Sequence, residues 1–320
     1  MRRFTIDLKG PLHGIEFGGE GRLVLLVHGL SGSAVNWVEL ADGLTAYGRV
    51  VAPELPGFGR TPPAGRRASI EAQAEILAEF IRRQTDEPAL IVGNSMGAMA
   101  TMILAGRYPE LVSRLVLINS PAPSPSAVGI APVWMLVMVL YLIPGLNKAL
   151  LTWLHNQGSP EERTEAGIDM IAARAERIPR STRLLHAQVT AERNTMPWTH
   201  EVHLEAYRSI VRTLVPYSRF DQMVRRITVP TLLIHGTMDL VVPIAAAERL
   251  ASLRPDWMYR PMVEVGHIPM MESPELCLEL IGEFMAATGL SPESGTGAPT
   301  AFSRNGAADS RPGSVRAARY

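Results

Sequence analysis

The sequence predicts an α/β protein: a mostly parallel, doubly wound sheet with one helical insertion. Three observations predict it. Short runs that are apolar at every position alternate with longer segments of helical period as far as Asn119. The alternation then stops, and it resumes near Thr228. The runs are continuously apolar, which is the pattern of strands covered by helices on both faces. Strand then helix, repeated, gives a parallel sheet.

In chain order, residues 4–17 read as an antiparallel edge hairpin. Buried strands are expected at 23–28 (LVLLVH), 49–52, 89–93 (ALIVG), 115–119 (LVLIN) and 231–235 (TLLIH). Helices are expected at 37–47, 69–84, 96–108, 245–253 and 274–285. The Pro/Ser loop 120–126 (SPAPSPS) can carry no regular element. Beyond it the chain is helical in character, with a start signal at Ser159-Pro160-Glu161-Glu162. The expected organisation is a first core part at 1–120, a helical cap at 121–222, a second core part at 223–288 and a tail at 289–320. The tail is rich in Gly, Ala, Ser, Pro and Arg. It lacks the apolar surface needed to offset chain entropy, so disorder is expected.

Of the 320 residues, 47% are hydrophobic, enough for a sizeable core. Lys plus Arg and Asp plus Glu both number 31, so nothing points to nucleic acid or an acidic polymer as partner. The balance favours a small neutral or apolar ligand. Cys277 is the only cysteine, which excludes an intramolecular disulfide and suits a reducing, cytoplasmic compartment. It lies in an apolar run and reads as a core residue. The opening MRRFTIDLKG has no apolar segment behind its arginines, so no secretory signal is expected. The charge-free stretch 127–146 is interrupted by Pro132 and Pro144. Its unbroken part falls short of the roughly 20 residues that a bilayer crossing needs.

The chemistry concentrates at Gly93-Asn94-Ser95-Met96-Gly97, a G-x-S-x-G pattern with a strand before it and a helix after it. Small residues two before and two after the serine let neighbouring backbone approach a very tight turn that pushes the hydroxyl clear. The helix also turns its positive N-terminal end towards developing negative charge. A serine nucleophile needs a base, and the base needs an orienting acid. His267, in Val265-Gly266-His267-Ile268-Pro269, and Asp239, just past strand 231–235, both fall at the carboxyl edge of the sheet. The other position for an acid is the end of strand 115–119. It offers Asn119 and Ser120, neither a carboxylate, which favours Asp239. The backbone N–H groups of Met96 and of Leu30, or else Ser31, are the candidate oxyanion donors. His28 and His235, each before a glycine, read as loop braces.

These motifs resemble the α/β-hydrolase superfamily, in which nucleophile, acid and histidine follow in that order. The resemblance covers residues 20–120 and 225–288 and includes the loop Pro53-Glu54-Leu55-Pro56-Gly57-Phe58-Gly59-Arg60. Glu54 is a departure, since relatives usually carry Asp there; the position reads as structural. The resemblance implies that the insertion is a cap and that substrate binds between cap and core above Ser95. Ser95 argues against the haloalkane dehalogenases and epoxide hydrolases of the superfamily, which use aspartate at the elbow.

Within the cap, Val133, Trp134, Leu136 and Val137 belong to the apolar run 133–142 (VWMLVMVLYL). Such a run can line an acyl pocket, make peripheral contact with lipid, or pack the cap against the core. Trp198, His200 and His203 read as exposed cap residues or as substrate contacts. The His200–His203 pair, with Glu201 and Glu205 nearby, is a poor zinc set, and no metal or cofactor is expected. The expected activity is hydrolysis of a small-molecule carboxylic ester with a lipophilic acyl group, through an acyl-enzyme. The alternatives are carbon–carbon bond hydrolysis of a diketone-type ring-cleavage product, or a ligand-binding protein that kept the fold.

Overall fold

The structure, a computed structural model, describes residues 1–123, 136 and 139–292. The tail beyond 292 lies outside the described residues. Eight strands form one sheet in the order β1-β2-β4-β3-β5-β6-β7-β8. β1 (Arg2–Asp7) and β2 (Pro11–Gly18) make the expected antiparallel hairpin, and β2 runs antiparallel to β4. From β4 (Arg49–Pro53) through β3 (Leu23–Val27), β5 (Ala89–Asn94), β6 (Val112–Ile118), β7 (Thr231–Gly236) and β8 (Met258–Met262) every pairing is parallel. β3, β5 and β7 are buried at every position, which is why their central residues are apolar, with polar Asn94, Thr231 and His235 confined to the strand ends. β6 begins at Val112, ahead of its apolar run, because Ser113 and Arg114 sit half-buried at its start.

Successive side chains of a strand face opposite sides. Leu23, Leu25 and Val27 of β3 therefore pack in one core layer, while Val24 and Leu26 pack in the other. The first layer holds α2 (Ile70–Gln84), α3 (Met96–Arg107) and α9 (Ile244–Leu253); the second holds α10 (Pro274–Ala287). Cys277 is buried in the second layer, where burial pushes its thiol pKa up, as befits a core residue.

The helix expected at 37–47 is instead three short pieces: a 3₁₀ turn Ala34–Trp37, α1 (Ala41–Leu44) and a second 3₁₀ turn Thr45–Tyr47. The Thr45 hydroxyl donates to the Asp42 carbonyl (2.6 Å) and so competes with regular helix bonding. Gly43 adds the poorest propensity short of proline.

The insertion between β6 and β7 carries α4 (Leu146–His155), α5 (Pro160–Ile171), α6 (Arg180–Asn194), α7 (Thr199–Leu214) and α8 (Tyr217–Arg225) among the described residues. α5 starts where Ser159 and Glu162 cap one another reciprocally. Phe220 and Val224 of α8 join the core layer of α3, so this helix runs on past residue 222 onto the core. Among the described residues, no helix is long and apolar enough to cross a membrane.

Candidate active site

β5 runs directly into Ser95, and α3 begins at Met96. Ser95 has φ 54° and ψ −117°, a backbone conformation costly for any residue with a Cβ. Its N–H donates to the Ile118 carbonyl (2.9 Å), which ties the turn to the neighbouring strand. The glycines are needed for space rather than for their own torsions. A Cβ on Gly97 would lie 2.3 Å from the Val27 carbonyl oxygen, and one on Gly93 would lie 2.9 Å from the Ala98 backbone. Gly97→Ala must therefore push α3 off β3. The expected loss is roughly 1–3 kcal/mol of stability, read as a lower Tm in thermal unfolding.

Three buried side chains form a hydrogen-bonded chain at the carboxyl edge of the sheet. Ser95 Oγ lies 3.1 Å from His267 Nε2, and His267 Nδ1 lies 2.7 Å from Asp239 Oδ2. Asp239 is held on both oxygens. Oδ1 accepts from the Val241 and Val242 N–H groups (2.8 and 2.9 Å), and Oδ2 accepts also from Asn119 Nδ2 (2.5 Å). Burial by itself would raise the Asp239 pKa. The His267 ring, His235 and the Val242 N–H outweigh it and hold the carboxyl below the ordinary aspartate range. His235 Nε2 pairs with the Val242 carbonyl (2.9 Å), bracing the turn that presents Asp239. The ring of His267 is aimed by its backbone too, since its N–H donates to the Ile171 carbonyl of the insertion (2.8 Å).

The loop after β3 approaches Ser95 from the other side. His28 braces it: Nδ1 pairs with the Gly29 carbonyl (2.8 Å), and Nε2 accepts from the Leu55 N–H (3.0 Å). Burial pushes the pKa of His28 down to about 4, so the ring is neutral at pH 7. Gly29 to Gly32 make a turn closed by the Gly32 N–H on the Gly29 carbonyl (3.0 Å), with Leu30 and Ser31 at its centre. Met96 is the first residue of α3, where the backbone N–H has no partner within the helix. Glu54 is buried and accepts from the Arg60 N–H (2.7 Å), a structural role that matches the expectation for that position.

A cavity of about 560 Å³ opens over Ser95 and His267. Its described lining is mostly apolar, with Leu30, Tyr141, Ile171, Ile210, Leu214 and Val242 among its walls. No Asp, Glu, Lys or Arg belongs to it among the described residues. Of the expected substrate contacts, Val133, Trp134 and Val137 lie outside the described residues, and Leu136 is 59% exposed and not among the described lining residues. His203, one of the three read as exposed cap residues, is only partly so and lines the cavity. Its Nδ1 pairs with Ser31 Oγ (2.7 Å), and burial together with the charge of Arg193 pushes its pKa down to about 3.

Two further residues support the site. Asn119 has a left-handed φ of 49°; its amide donates to both Asp239 and the Gly266 carbonyl (3.0 Å), joining the acid to the histidine loop. Glu272 is buried and accepts from the N–H groups of Gly266 (2.9 Å) and Arg174 (2.9 Å), fastening the histidine loop to the insertion. Asn119 stood out only as the absence of an acid. Its partners are more than a hundred positions away, and no local pattern reports such pairings.

Comparison with known proteins places the fold in a known family. The chain is 29% identical over 279 residues to 2-hydroxy-6-oxo-2,4-heptadienoate hydrolase of Pseudomonas putida, covering 84% of this chain and 91% of that one. It is 28% identical over 259 residues to pimeloyl-[acyl-carrier protein] methyl ester esterase of Aromatoleum aromaticum, covering 81% and 96%. Protein ABHD8 of Bos taurus is 27% identical over 276 residues, and the match spans only 57% of that relative's length. A solved structure, the meta-cleavage product hydrolase of Pseudomonas fluorescens IP01, shares the fold with a TM-score of 0.67 at 23% identity, over 89% of this chain and 97% of that one. The family model for the alpha/beta hydrolase fold matches residues 22–274, and the chain belongs to that family.

Proposed function

We propose that this protein hydrolyses a carboxylic ester with a lipophilic acyl group through an acyl-enzyme on Ser95. The His267 ring donates Nδ1–H to Asp239 and receives the Ser95 proton at Nε2 as Oγ attacks the ester carbonyl. The oxyanion is taken up by the N–H groups of Met96 and Leu30. His267 then gives its proton to the departing alkoxide, and the alcohol leaves. Water repeats the sequence on the acyl-enzyme, releasing the acid and restoring Ser95.

The observation that carries the ester reading is the apolar cavity over Ser95, with no charged side chain in its described lining. An alkyl or acyl chain is favoured in such a space, while an unpaired carboxylate is strongly disfavoured. A heptadienoate, the substrate class named for the Pseudomonas putida relative, carries a carboxylate. Carbon–carbon bond hydrolysis remains the second reading because that relative covers most of both chains. Leu142, Ile143, Leu146 and Trp153 are exposed close in sequence to the cavity residue Tyr141, a surface suited to peripheral contact with lipid.

A series of p-nitrophenyl esters of rising acyl length tests the reading. Activity should peak at medium or long chains, because each buried CH₂ contributes about 0.8 kcal/mol. A preference for acetate, or no turnover of any ester, would contradict it.

A further inference from the structure

Among the described residues, hydrogen bonds from the insertion grip the turn that carries Leu30 at Ser31. Ser31 has φ 60°, the left-handed region where a β-turn of this kind normally places glycine or asparagine. Such a conformation is unfavourable for a residue with a Cβ and persists only where surrounding structure enforces it. Two helices of the insertion reach this residue. Arg193, at the end of α6, donates Nη1 to the Ser31 carbonyl (2.6 Å). His203, on α7, pairs with the Ser31 hydroxyl (2.7 Å). The neighbouring Glu192 is tied to Arg60 of the core by an ion pair (2.6 Å), so the end of α6 is fastened at two consecutive residues.

We propose that Arg193 and His203 are positioning residues: by holding the carbonyl and hydroxyl of Ser31 they keep the Leu30 N–H aimed at the oxyanion, so that the oxyanion hole is complete only while the insertion is seated on the core. If Ser31 relaxed to negative φ, the Leu30–Ser31 peptide would turn over and the turn would change type; the Leu30 N–H belongs to the preceding Gly29–Leu30 peptide, which would then lose the fixed turn that aims it. Arg193 keeps its charge at neutral pH even though burial lowers its pKa to about 10. That charge strengthens its bond to the Ser31 carbonyl. The inference rests on the reading of Leu30 as an oxyanion donor, and neither residue touches the reacting atoms.

The test uses the full chain with Arg193→Met, Arg193→Lys and His203→Phe. Two quantities are measured: the rate at which an alkyl fluorophosphonate labels Ser95, and amide hydrogen exchange across residues 29–33. Arg193→Met should slow labelling about 10- to 100-fold, part of the ~10²–10³ that one oxyanion donor contributes. Exchange at 29–33 should rise in parallel, KM for any hydrolysed ester should hold while kcat falls, and Arg193→Lys should recover part of the loss. His203→Phe should produce a smaller change of the same kind, and it serves if Arg193→Met does not fold. Wild-type labelling and wild-type exchange in these variants would overturn the proposal. So would a rise in KM alone. Should the wild-type protein neither label nor hydrolyse esters, the ester reading fails, and the exchange data still decide whether the insertion holds the turn.

Discussion

Ser95→Ala should abolish hydrolysis, with a loss of about 10⁶ in kcat, the scale on which triad hydrolases respond to removal of the nucleophile. The fold should survive the change. The change removes only the hydroxyl, and the backbone N–H of residue 95, which holds the Ile118 carbonyl, is untouched. The positive φ of 54° remains a strain for alanine, as it is for serine, so stability should change little. Binding should persist as well, because the apolar walls of the cavity, proposed to hold an acyl chain, are unaltered. The variant should thus retain affinity for a non-hydrolysable ester analogue while turning over nothing, as measured by calorimetry beside the p-nitrophenyl assay. Residual activity within tenfold of wild type would place the chemistry elsewhere.

Asp239→Asn should lower kcat by about 10⁴, the effect of misorienting the base. The reason lies in the donors that converge on this side chain. The Val241 and Val242 N–H groups face one oxygen, and the Asn119 amide with His267 Nδ1 faces the other. A carboxylate accepts from both sides; an amide has one oxygen and two N–H bonds of its own. If the amide oxygen turns to the valine N–H groups, its NH₂ meets Asn119 and His267. His267 must then accept at Nδ1 and carry its proton on Nε2, facing Ser95, where it can no longer act as base. The opposite orientation sets NH₂ against two backbone donors. Single-turnover kinetics should show slow acylation with KM nearly unchanged, and a loss below tenfold would argue that Asp239 does not orient the ring.

How much of this was readable in the sequence follows from how locally each feature is determined. The elbow was legible because the close approach of α3 to β3 demands small side chains at fixed offsets from Ser95, as the contact at Gly97 shows. The buried strands were legible because burial on both faces dictates their composition, and the edge hairpin because its length and turn fit between residues 2 and 18. Where the periodic signal was diluted, boundaries drifted: polar Ser113 and Arg114 hid the start of β6. The broken helix near Asp42 depended on a side chain competing for a backbone carbonyl, which periodicity does not register. His203 read as an exposed cap residue or a substrate contact because it is polar and lies on a helix of the insertion; that helix face turns towards the loop after β3 and the cavity. Asn119 and Ser31 act through partners distant in sequence, and Glu272 joins nearby Gly266 to distant Arg174, so only the folded chain reveals their arrangement.

The most direct test of the account is mass spectrometry of the protein after exposure to an alkyl fluorophosphonate. The account predicts a single phosphonyl adduct on the peptide containing Ser95, absent in Ser95→Ala and formed far more slowly in Asp239→Asn. No adduct, or an adduct on any other residue, would contradict the assignment of Ser95 as the activated nucleophile.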